Sequence, residues 1–574
     1  MGNREFSWEI LNKIKKHKSP KQNKLATGQA KSKNQDIIDI LLENRGLKTR
    51  KEKEEFFNPE KPQNIPLQSI GIKKNDVKKA IKRIAKAKES GEKVVVFGDY
   101  DADGICAAAI LWEALYSLGI DSTPYIPNRF DEGYGIKKES VNSLKAQYPN
   151  LGLIITVDNG IVANEAVIQA NKLSIDVIIT DHHQSGEKLP DAYCTLHTTE
   201  IGGAGISWFL VREIEKNIKS QKLNRKHDGL ELAAIGTIAD QIPLLGTNRS
   251  IVKHGIVALN ETERLGLLSL VKKAGIEKRK IGTYEVGFIV APRLNAMGRM
   301  EHAIDSLRLL CTKNIIKAER LANLLNKTNL ERQKVVDEVI FHAREQVESF
   351  SEQSILVLAH ESYHEGVIGL AASKLVEEYY RPTIVFSKGN PISKASARSI
   401  SGFNIIETIN KLDDILEEGG GHPMAAGFSI ISENIGIFIE RINEVAKPLL
   451  TSEILSRKLK IDMGLDFDSI TENLVKKLEE FEPTGLGNPR PSFFTESVEV
   501  VDVRTVGREY KHLKMKVLKG GKVFDSIAFG MGNKLKEILS ENIVDIAYSL
   551  EFNIWNGSKE IQLKIKDMHI SEKK

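Results

Sequence analysis

A chain of 574 residues is too long for one hydrophobic core, and at about 150 residues per domain it divides into roughly three or four. With 41% hydrophobic and 28% charged residues the composition is that of a globular chain, and no apolar run approaches the roughly 18 residues that span a bilayer. Three scattered cysteines (Cys106, Cys194, Cys311) exclude a disulfide framework or a thiolate zinc site, and the net charge of +5 points only weakly toward nucleic acid.

No secretory signal opens the chain, so the cytoplasm is the default expectation. Lys13 to Lys33, rich in lysine with Ser, Gln and Asn, is expected to be a mobile basic arm. Asp36 to Leu47 and Glu52 to Phe57 read as short helices packing onto a first domain. Lys73 to Lys93 keeps Val77, Ile81, Ile84 and Ala85 at helical spacing, which gives a helix with a basic outer face, either solvated or facing nucleic acid.

Val94 to Phe97 is a buried strand by its β-branched and aromatic run, and the carboxylates Asp99, Asp101 and Asp103 follow at once. Ile105 to Leu118 is an apolar helix and Thr123 to Ile126 a short strand. Leu153 to Val157 is a strand ending at Asp158-Asn159-Gly160, and Asp176 to Thr180 is another, ending at Asp181-His182-His183. Such alternation is the pattern of a parallel sheet with helices on its faces, where ligands bind beyond the carboxyl ends of the strands. The acid and imidazole clusters are therefore expected at one edge. Glu231 to Ala239 is helical and delivers Asp240, which taken alone reads as a helix or turn cap before it reads as a site residue.

From Asn314 to about Glu348 the sequence lacks Gly and Pro and keeps a partly apolar face, a helix of roughly 50 Å that links two domains. A second α/β unit follows, with strands Ile355 to Leu358 and Thr383 to Phe386 around the helix Ile368 to Tyr379. Ser396-Ala397-Arg398-Ser399 and the loop Gly419-Gly420-Gly421-His422 follow; the glycines let backbone amides approach an anion, and Arg398 and His422 are natural phosphate partners, the alternative being a flexible turn before strand Ala425 to Ile430. Beyond about Leu455 several short strands (Val498 to Val506, Leu513 to Leu518, Val523 to Phe529, Ile546 to Phe552, Ile561 to Ile565) suggest an OB-type barrel suited to single-stranded nucleic acid.

Three acids this close repel one another unless a cation sits among them. Asp99-x-Asp101-x-Asp103-Gly104 also opens an EF-hand loop, but Ile110 stands where that loop needs a bidentate glutamate. No GxxxxGK[ST] occurs, so chemistry driven by nucleotide hydrolysis is not expected. Carboxylates with imidazole suit Mn²⁺ or Mg²⁺, and the available acids suffice for two ions that activate water and stabilise both oxygens of a phosphoryl transfer.

Gly98 to Gly104, Val157 to Gly160, Asp181-His182-His183 and Gly236 to Asp240 together resemble the four motifs of the DHH phosphoesterases, in order. Pro127 to Gly135, Pro292 to Arg299, Ser396 to Ser399, Gly420 to Gly427 and Glu482 to Pro489 narrow the resemblance to the RecJ branch, and it runs from about Trp8 to the end of the chain. The resemblance implies an α/β fold: a parallel-sheet DHH domain, a long linking helix, a smaller α/β DHH-associated domain and a C-terminal OB-like β-barrel. The corresponding boundaries are 1–70 for the arm and N-terminal helices, 71–250 for the DHH domain, 251–350 for the helical connector, 351–453 for the DHH-associated domain and 454–574 for the barrel.

It also implies a metal-dependent exonuclease that degrades single-stranded DNA from the 5′ end to mononucleotides, in repair and recombination. Asp101, Asp103, Asp158, His182 and Asp240 would hold Mn²⁺ or Mg²⁺, with Asp158 a bridge and Asp99 in or near the shell. His183 would face the scissile phosphate and Asp181 orient the histidines, while Arg129, Arg299, Ser396, Arg398, Gly420, Gly421 and His422 would hold phosphates. Phe97 stands where the family often has a histidine ligand. Single-stranded DNA is the expected partner, with a single-strand-binding protein and a helicase as recruiters, on a monomer without a membrane anchor. The alternatives are a DHH phosphodiesterase for short oligonucleotides or cyclic dinucleotides, and a catalytically inactive DNA-binding scaffold.

Overall fold

The computed structural model describes residues 6–12, 28–218, 228–277, 280–347, 353–555 and 557–570. The lysine-rich arm expected at Lys13 to Lys33 lies outside the described residues as far as residue 27; its last part begins the helix Gly28–Glu43. Strand β1 (Ser7–Asn12) precedes it.

The first α/β unit is a five-stranded parallel sheet of β2 (Lys93–Phe97), β3 (Ser122–Tyr125), β4 (Leu151–Val157), β5 (Asp176–Asp181) and β6 (Cys194–His197), in the order β3-β2-β4-β5-β6. A parallel sheet needs cover on both faces, and β2 shows why its sequence is continuously apolar. Val94 and Val96 pack into the core shared with helices Ala102–Ser117, Gly203–Asn217 and Leu230–Ala239. Val95 and Phe97 face the other way, against helices Lys138–Gln147 and Asn164–Lys172. The strand β6 and the helix Gly203–Asn217 had no counterpart in the sequence reading.

The 33-residue helix Ile315–Val347 spans about 50 Å and serves two cores. Leu321 and Leu325 are buried with the first unit, whereas Val336, Val339, Ile340 and Ala343 are buried against Leu358, Val367, Ala371 and Leu375 of the second. The second sheet comprises β7 (Leu356–His360), β8 (Thr383–Ser387), β9 (Ile392–Arg398), β10 (Leu416–His422) and β11 (Ala425–Ile431), in the order β10-β11-β9-β8-β7. Gly419 to His422, expected as a loop, is the exposed edge strand β10. The glycines gave no strand signal; the ladder with β11 imposes the extended conformation.

The C-terminal unit adds β12 (Lys458–Gly464), β13 (Phe493–Val506), β14 (His512–Lys519), β15 (Lys522–Ala528), β16 (Ile543–Trp555) and β17 (Ser558–Ile570). The order β13-β14-β15-β17-β16 closes through a β13–β16 pairing into a five-stranded barrel, extended at its edge by β12 and β1. The N-terminal helices pack here rather than on the first unit. Ile37, Ile38, Leu41, Leu42 and Phe56 are buried with Leu465, Leu474 and Phe493. An amphipathic stripe specifies that it will be buried, not against what. Arg249, fully buried in helix Gly246–Asn260, locks the arrangement by donating to the carbonyls of Phe56, Glu480, Phe481, Glu482 and Pro483.

Candidate metal centre

Three parallel strands deliver the site. At the end of β2, Asp101 caps the next helix, its Oδ1 accepting from the N–H of Asp103 (2.9 Å) and Gly104 (3.0 Å). Asp103, in the first turn of that helix, is buried, and the first amides of helix Gly203–Asn217 donate to it: Gly203 N–H to Oδ2 at 2.7 Å and Ala204 N–H to Oδ1 at 3.0 Å. Asp158 follows β4 in the left-handed region, φ 64°, a conformation that an aspartate tolerates and most residues do not. Glycines make room for these carboxylates. A Cβ at Gly203 would lie 2.6 Å from that of Asp158, and one at Gly202 would lie 2.9 Å from Asp103 Oδ2.

His182 Nε2 sits 3.0 Å from Asp158 Oδ1, 3.5 Å from Asp240 Oδ2 and 3.9 Å from Asp103 Oδ2. Asp240 is the C-cap of helix Leu230–Ala239, so the cap reading of this residue and the ligand reading are both satisfied. The donor atoms fall into three groups whose members lie within 4.8 Å of one another: Asp158, His182 and His183; Asp103, His182 and Asp240; Asp99, Asp101 and Asp158.

Burial, then mutual repulsion, pushes Asp103 up to about 7 and Asp240 up to about 8, and holds Asp99 and Asp158 well above the usual carboxylate range. Burial and the neighbouring His183 push His182 down to about 4, which leaves it neutral and able to ligate. Asp99 Oδ1 is buried without a hydrogen-bond partner. Acids, a neutral imidazole and an orphaned carboxylate oxygen fit divalent cations of the Mn²⁺ or Mg²⁺ kind.

Asp181 does not join these groups. It is buried behind the histidines, where it accepts from the N–H of Ile161 (2.8 Å), His182 (2.7 Å) and His183 (3.1 Å) and lies 2.7 Å from His183 Nδ1. Burial opposes charge on His183, but the hydrogen bond and charge of Asp181 outweigh it and raise the imidazole to about 9. Phe97 is fully buried and stacks on Tyr125 at 5.1 Å, so it supplies no donor.

A second, positive cluster adjoins the first. Arg129 lies over the Tyr100 ring at 5.1 Å. Burial, then the charges of Arg129, Arg332 and Arg398, lowers Arg299 to about 10, and burial followed by Arg129 lowers Arg398. Guanidiniums that depress one another are the signature of an anion site. Arg398 Nη1 also donates to Ser396 Oγ at 3.1 Å, and a Cβ at Gly369, in the first turn of helix Ile368–Tyr379, would lie 2.9 Å from that oxygen. Register places Arg398, Ala425 and His422 in one cross-strand row and Ser396, Gly427 and Gly420 in another. By alternation Ser396, Arg398, Gly420 and His422 share a sheet face and Gly421 lies on the other.

Three family models match successive parts of the chain: the DHH family N-terminal domain over residues 93–237, the DHHA1 domain over 352–447 and the RecJ OB domain over 461–567. The single-stranded-DNA-specific exonuclease RecJ of Bacillus subtilis is 35% identical over 99% of this chain and 71% of its own length. The chain belongs to the RecJ family. The Escherichia coli RecJ is 29% identical over 93% of this chain and 95% of its own length. Among solved structures, Thermus thermophilus RecJ in complex with Mn²⁺ superimposes with a TM-score of 0.78 at 28% identity, covering 93% of this chain and 76% of that one.

Three groups at the RecJ site went unassigned in the sequence. Tyr134 lies within the 127–135 motif, and its hydroxyl donates to the Asp158 carbonyl (3.3 Å) and sits 3.1 Å from His183 Nδ1. Asn295 Oδ1 accepts from Ala102 N–H at 2.6 Å, and His197 Nε2 donates to the His183 carbonyl at 2.7 Å. Tyr134 and Asn295 stood inside quoted motifs, whereas nothing marks His197 except its place at the end of a strand.

Proposed function

We infer that this RecJ-family chain is a metal-dependent, single-stranded-DNA-specific exonuclease, a phosphodiester hydrolase of DNA repair and recombination. The observation that carries the reading is the convergence of five acids and two histidines at one sheet edge, beside an arginine cluster with phosphate-binding chemistry. Asp101, Asp103, Asp158, His182 and Asp240 would hold the metal, with Asp99 in or near the shell. Asp158 and His182 each belong to two of the three donor groups, so the donor set would suffice for two ions, with Asp158 a candidate for sharing between them. When bound, Mn²⁺ or Mg²⁺ supplies activation of water and neutralisation of phosphate charge.

The chain's own residues do the rest. Arg129, Arg299, Arg398 and Ser396 hold a terminal 5′ phosphate, with Gly420, Gly421 and His422 extending that wall, so the next phosphodiester lies over the acids and a mononucleotide leaves. That order makes the enzyme run 5′ to 3′. His183, held charged by Asp181, donates to a non-bridging oxygen of the scissile phosphate. The barrel contributes further contacts along the strand. The five-part division at residues 70, 250, 350 and 453 belongs to the same proposal, as do a cytoplasmic monomer and recruitment by a single-strand-binding protein and a helicase. Among the described residues no helix is long and apolar enough to cross a membrane.

Digestion of a 5′-labelled single strand against the matching duplex, with Mn²⁺ and with Mg²⁺, tests the reading. Loss of the single strand alone is expected, and the Asp101→Ala/Asp158→Ala variant is expected to lose it by at least about a thousandfold. Equal digestion by that variant refutes the site. Activity restricted to dinucleotides supports the small-substrate alternative.

A further inference from the structure

The loop between β3 and helix Lys138–Gln147 carries two side chains that meet different halves of the site. Arg129 lies over the Tyr100 ring, its charge bearing on Arg299 and Arg398 to one side and on Asp99 to the other. Five residues on, the Tyr134 hydroxyl donates to the Asp158 carbonyl and sits 3.1 Å from His183 Nδ1. One stretch of backbone therefore joins the phosphate-binding arginines to the acids and their histidine.

That stretch is built around a single carboxylate. Glu132 Oε1 accepts from the Asn128 N–H (2.8 Å), and Oε2 accepts from the hydroxyls of Tyr125 (2.8 Å) and Ser140 (3.1 Å). The backbone closes the same ring: the N–H groups of Glu132 (2.9 Å) and Gly133 (3.2 Å) both donate to the Asn128 carbonyl, and Asn128 Oδ1 accepts from Phe130 N–H at 2.8 Å. Gly133 at φ 76° then turns the chain toward Tyr134 in the left-handed region that glycine adopts without strain.

Glu132 also ties the loop to the rigid parts of the fold. Burial, then the bond to Glu132, raises the Tyr125 hydroxyl above its usual pKa, so it stays a donor. The Tyr125 ring stacks on the fully buried Phe97, its register partner in β2 and two residues before Asp99. Ser140 belongs to the first turns of helix Lys138–Gln147. On its other side the loop meets the second α/β unit, where the Phe130 ring packs edge-on against His364 with centroids 5.7 Å apart. The frame that carries Arg129 and Tyr134 is thus braced by β2, β3, a helix and the facing domain.

We propose that Glu132 is a positioning residue that sets the length of the product: by fixing Arg129 against Tyr134 it fixes the terminal phosphate against the bond to be cut, so that one nucleotide fits between them. The proposal rests on the exonuclease reading and deepens it: the arginines choose the end, and the Glu132 loop chooses the bond. Such a register needs a stiff spacer. A shift of about 1 Å at a reacting centre costs roughly a hundredfold, so a loop that yields by that much loses its advantage for the first phosphodiester over the second.

The test is the length of the first product released from a thymidine twelve-mer with a radioactive 5′ phosphate, in single turnover with the Mn²⁺-loaded full chain in excess. Wild type should release the mononucleotide. Glu132→Ala should slow mononucleotide release roughly 10- to 100-fold and raise the share of dinucleotide at least about tenfold. Glu132→Gln should restore the wild-type product and most of its rate, because the amide oxygen still accepts from Asn128 N–H and the NH₂ donates to the two hydroxyls. Tyr125→Phe removes one donor, keeps the ring on Phe97 and should shift the products in the same direction; it carries the test if Glu132→Ala is unfolded at the assay temperature. A carboxylate that only stabilises its loop costs rate and Tm without changing the register, so mononucleotide as the sole first product of both variants overturns the positioning role alone. A wild-type chain that cuts the strand but releases longer products also overturns it. A wild-type chain that leaves the single strand uncut overturns the exonuclease reading, and the proposal with it.

Discussion

Gly236→Ala isolates the seat of Asp103 from the carboxylate itself. Gly236 lies buried in helix Leu230–Ala239, and a Cβ there would collide with Asp103 Oδ1, stand 3.2 Å from Asp103 Cγ and 2.7 Å from Ala204 Cβ. Carbon atoms rest at about 3.5–4.0 Å, so the carboxylate and the start of helix Gly203–Asn217 must withdraw by on the order of 1 Å. The bonds to Gly203 and Ala204 N–H stretch with them. In stability the two effects nearly offset, since alanine gains about 1 kcal/mol over glycine in a helix and overpacking costs about 1–3 kcal/mol. In activity they do not, because a shift of about 1 Å at a reacting centre costs roughly a hundredfold. Single-strand digestion with Mn²⁺, alongside thermal unfolding with and without the ion, should show a folded chain with activity down about a hundredfold and a smaller Mn²⁺-induced rise in Tm. Gly255→Ala is the matched control: from helix Gly246–Asn260 its Cβ would crowd Leu230 O (2.7 Å) and Ala234 of the helix that carries Gly236, without touching Asp103. If Gly236→Ala stays within threefold of wild type, or if both variants lose activity in step with stability, the argument for the Asp103 seat fails.

Three further outcomes follow from the same geometry. With metal chelated, Tm should fall as pH rises from about 4 to 8: burial, then neighbouring acids, raises Asp103 to about 7 and Asp240 to about 8, so the unfolded chain sheds its protons first and gains from each pH step until the folded pKa is passed. At about 1.4 kcal/mol per pKa unit Asp103 alone has a ceiling of about 4 kcal/mol, and an Asp103→Asn chain whose slope matches wild type would dismiss the effect. Arg398→Gln should erase the preference for a 5′-phosphorylated over a 5′-hydroxyl strand, read as a kcat/KM ratio approaching one; an undiminished preference would place the terminal phosphate elsewhere. Arg249→Met should destabilise the chain by at least about 3 kcal/mol in urea, because five carbonyls lose their donor, and a change below about 1 kcal/mol would show that water replaces it.

Much of this architecture was legible because local pattern and global fold agree. β2, β4 and β5 are apolar runs that stop at acids, and a parallel sheet leaves those acids no place but a common edge. The linking helix was legible for a similar reason, since 33 residues without Gly or Pro have one regular conformation. The partner of the N-terminal helices was not, because the contact of Phe56 with Phe481 at 5.3 Å joins residues more than 400 positions apart and neither local sequence refers to the other. Edge strand β10 was hidden because three successive glycines carry no strand propensity, and its pairing with β11 alone fixes it. His197 stayed silent as a lone histidine in a short alternating run, although its imidazole holds the backbone of His183.

The glycines state most directly how the fold serves the chemistry. Gly202 and Gly203 at the start of one helix and Gly236 inside another would each drive a Cβ into Asp103 or Asp158. Gly236, inside a helix, costs on the order of 1 kcal/mol of helix stability, less is lost at the N-cap Gly202 and the first helical residue Gly203, and the three together leave space that the carboxylates fill. Those oxygens in turn raise one another's proton affinity, so without a cation the site opposes folding at neutral pH. Helix packing, glycine placement and acid clustering are each unfavourable alone and become mutually consistent when a divalent ion occupies the centre. A chain that kept the glycines without the acids, or the acids without the glycines, would lose one part of that balance, so the two sets are expected to fail together under mutation, with double-variant losses far below the product of the single losses.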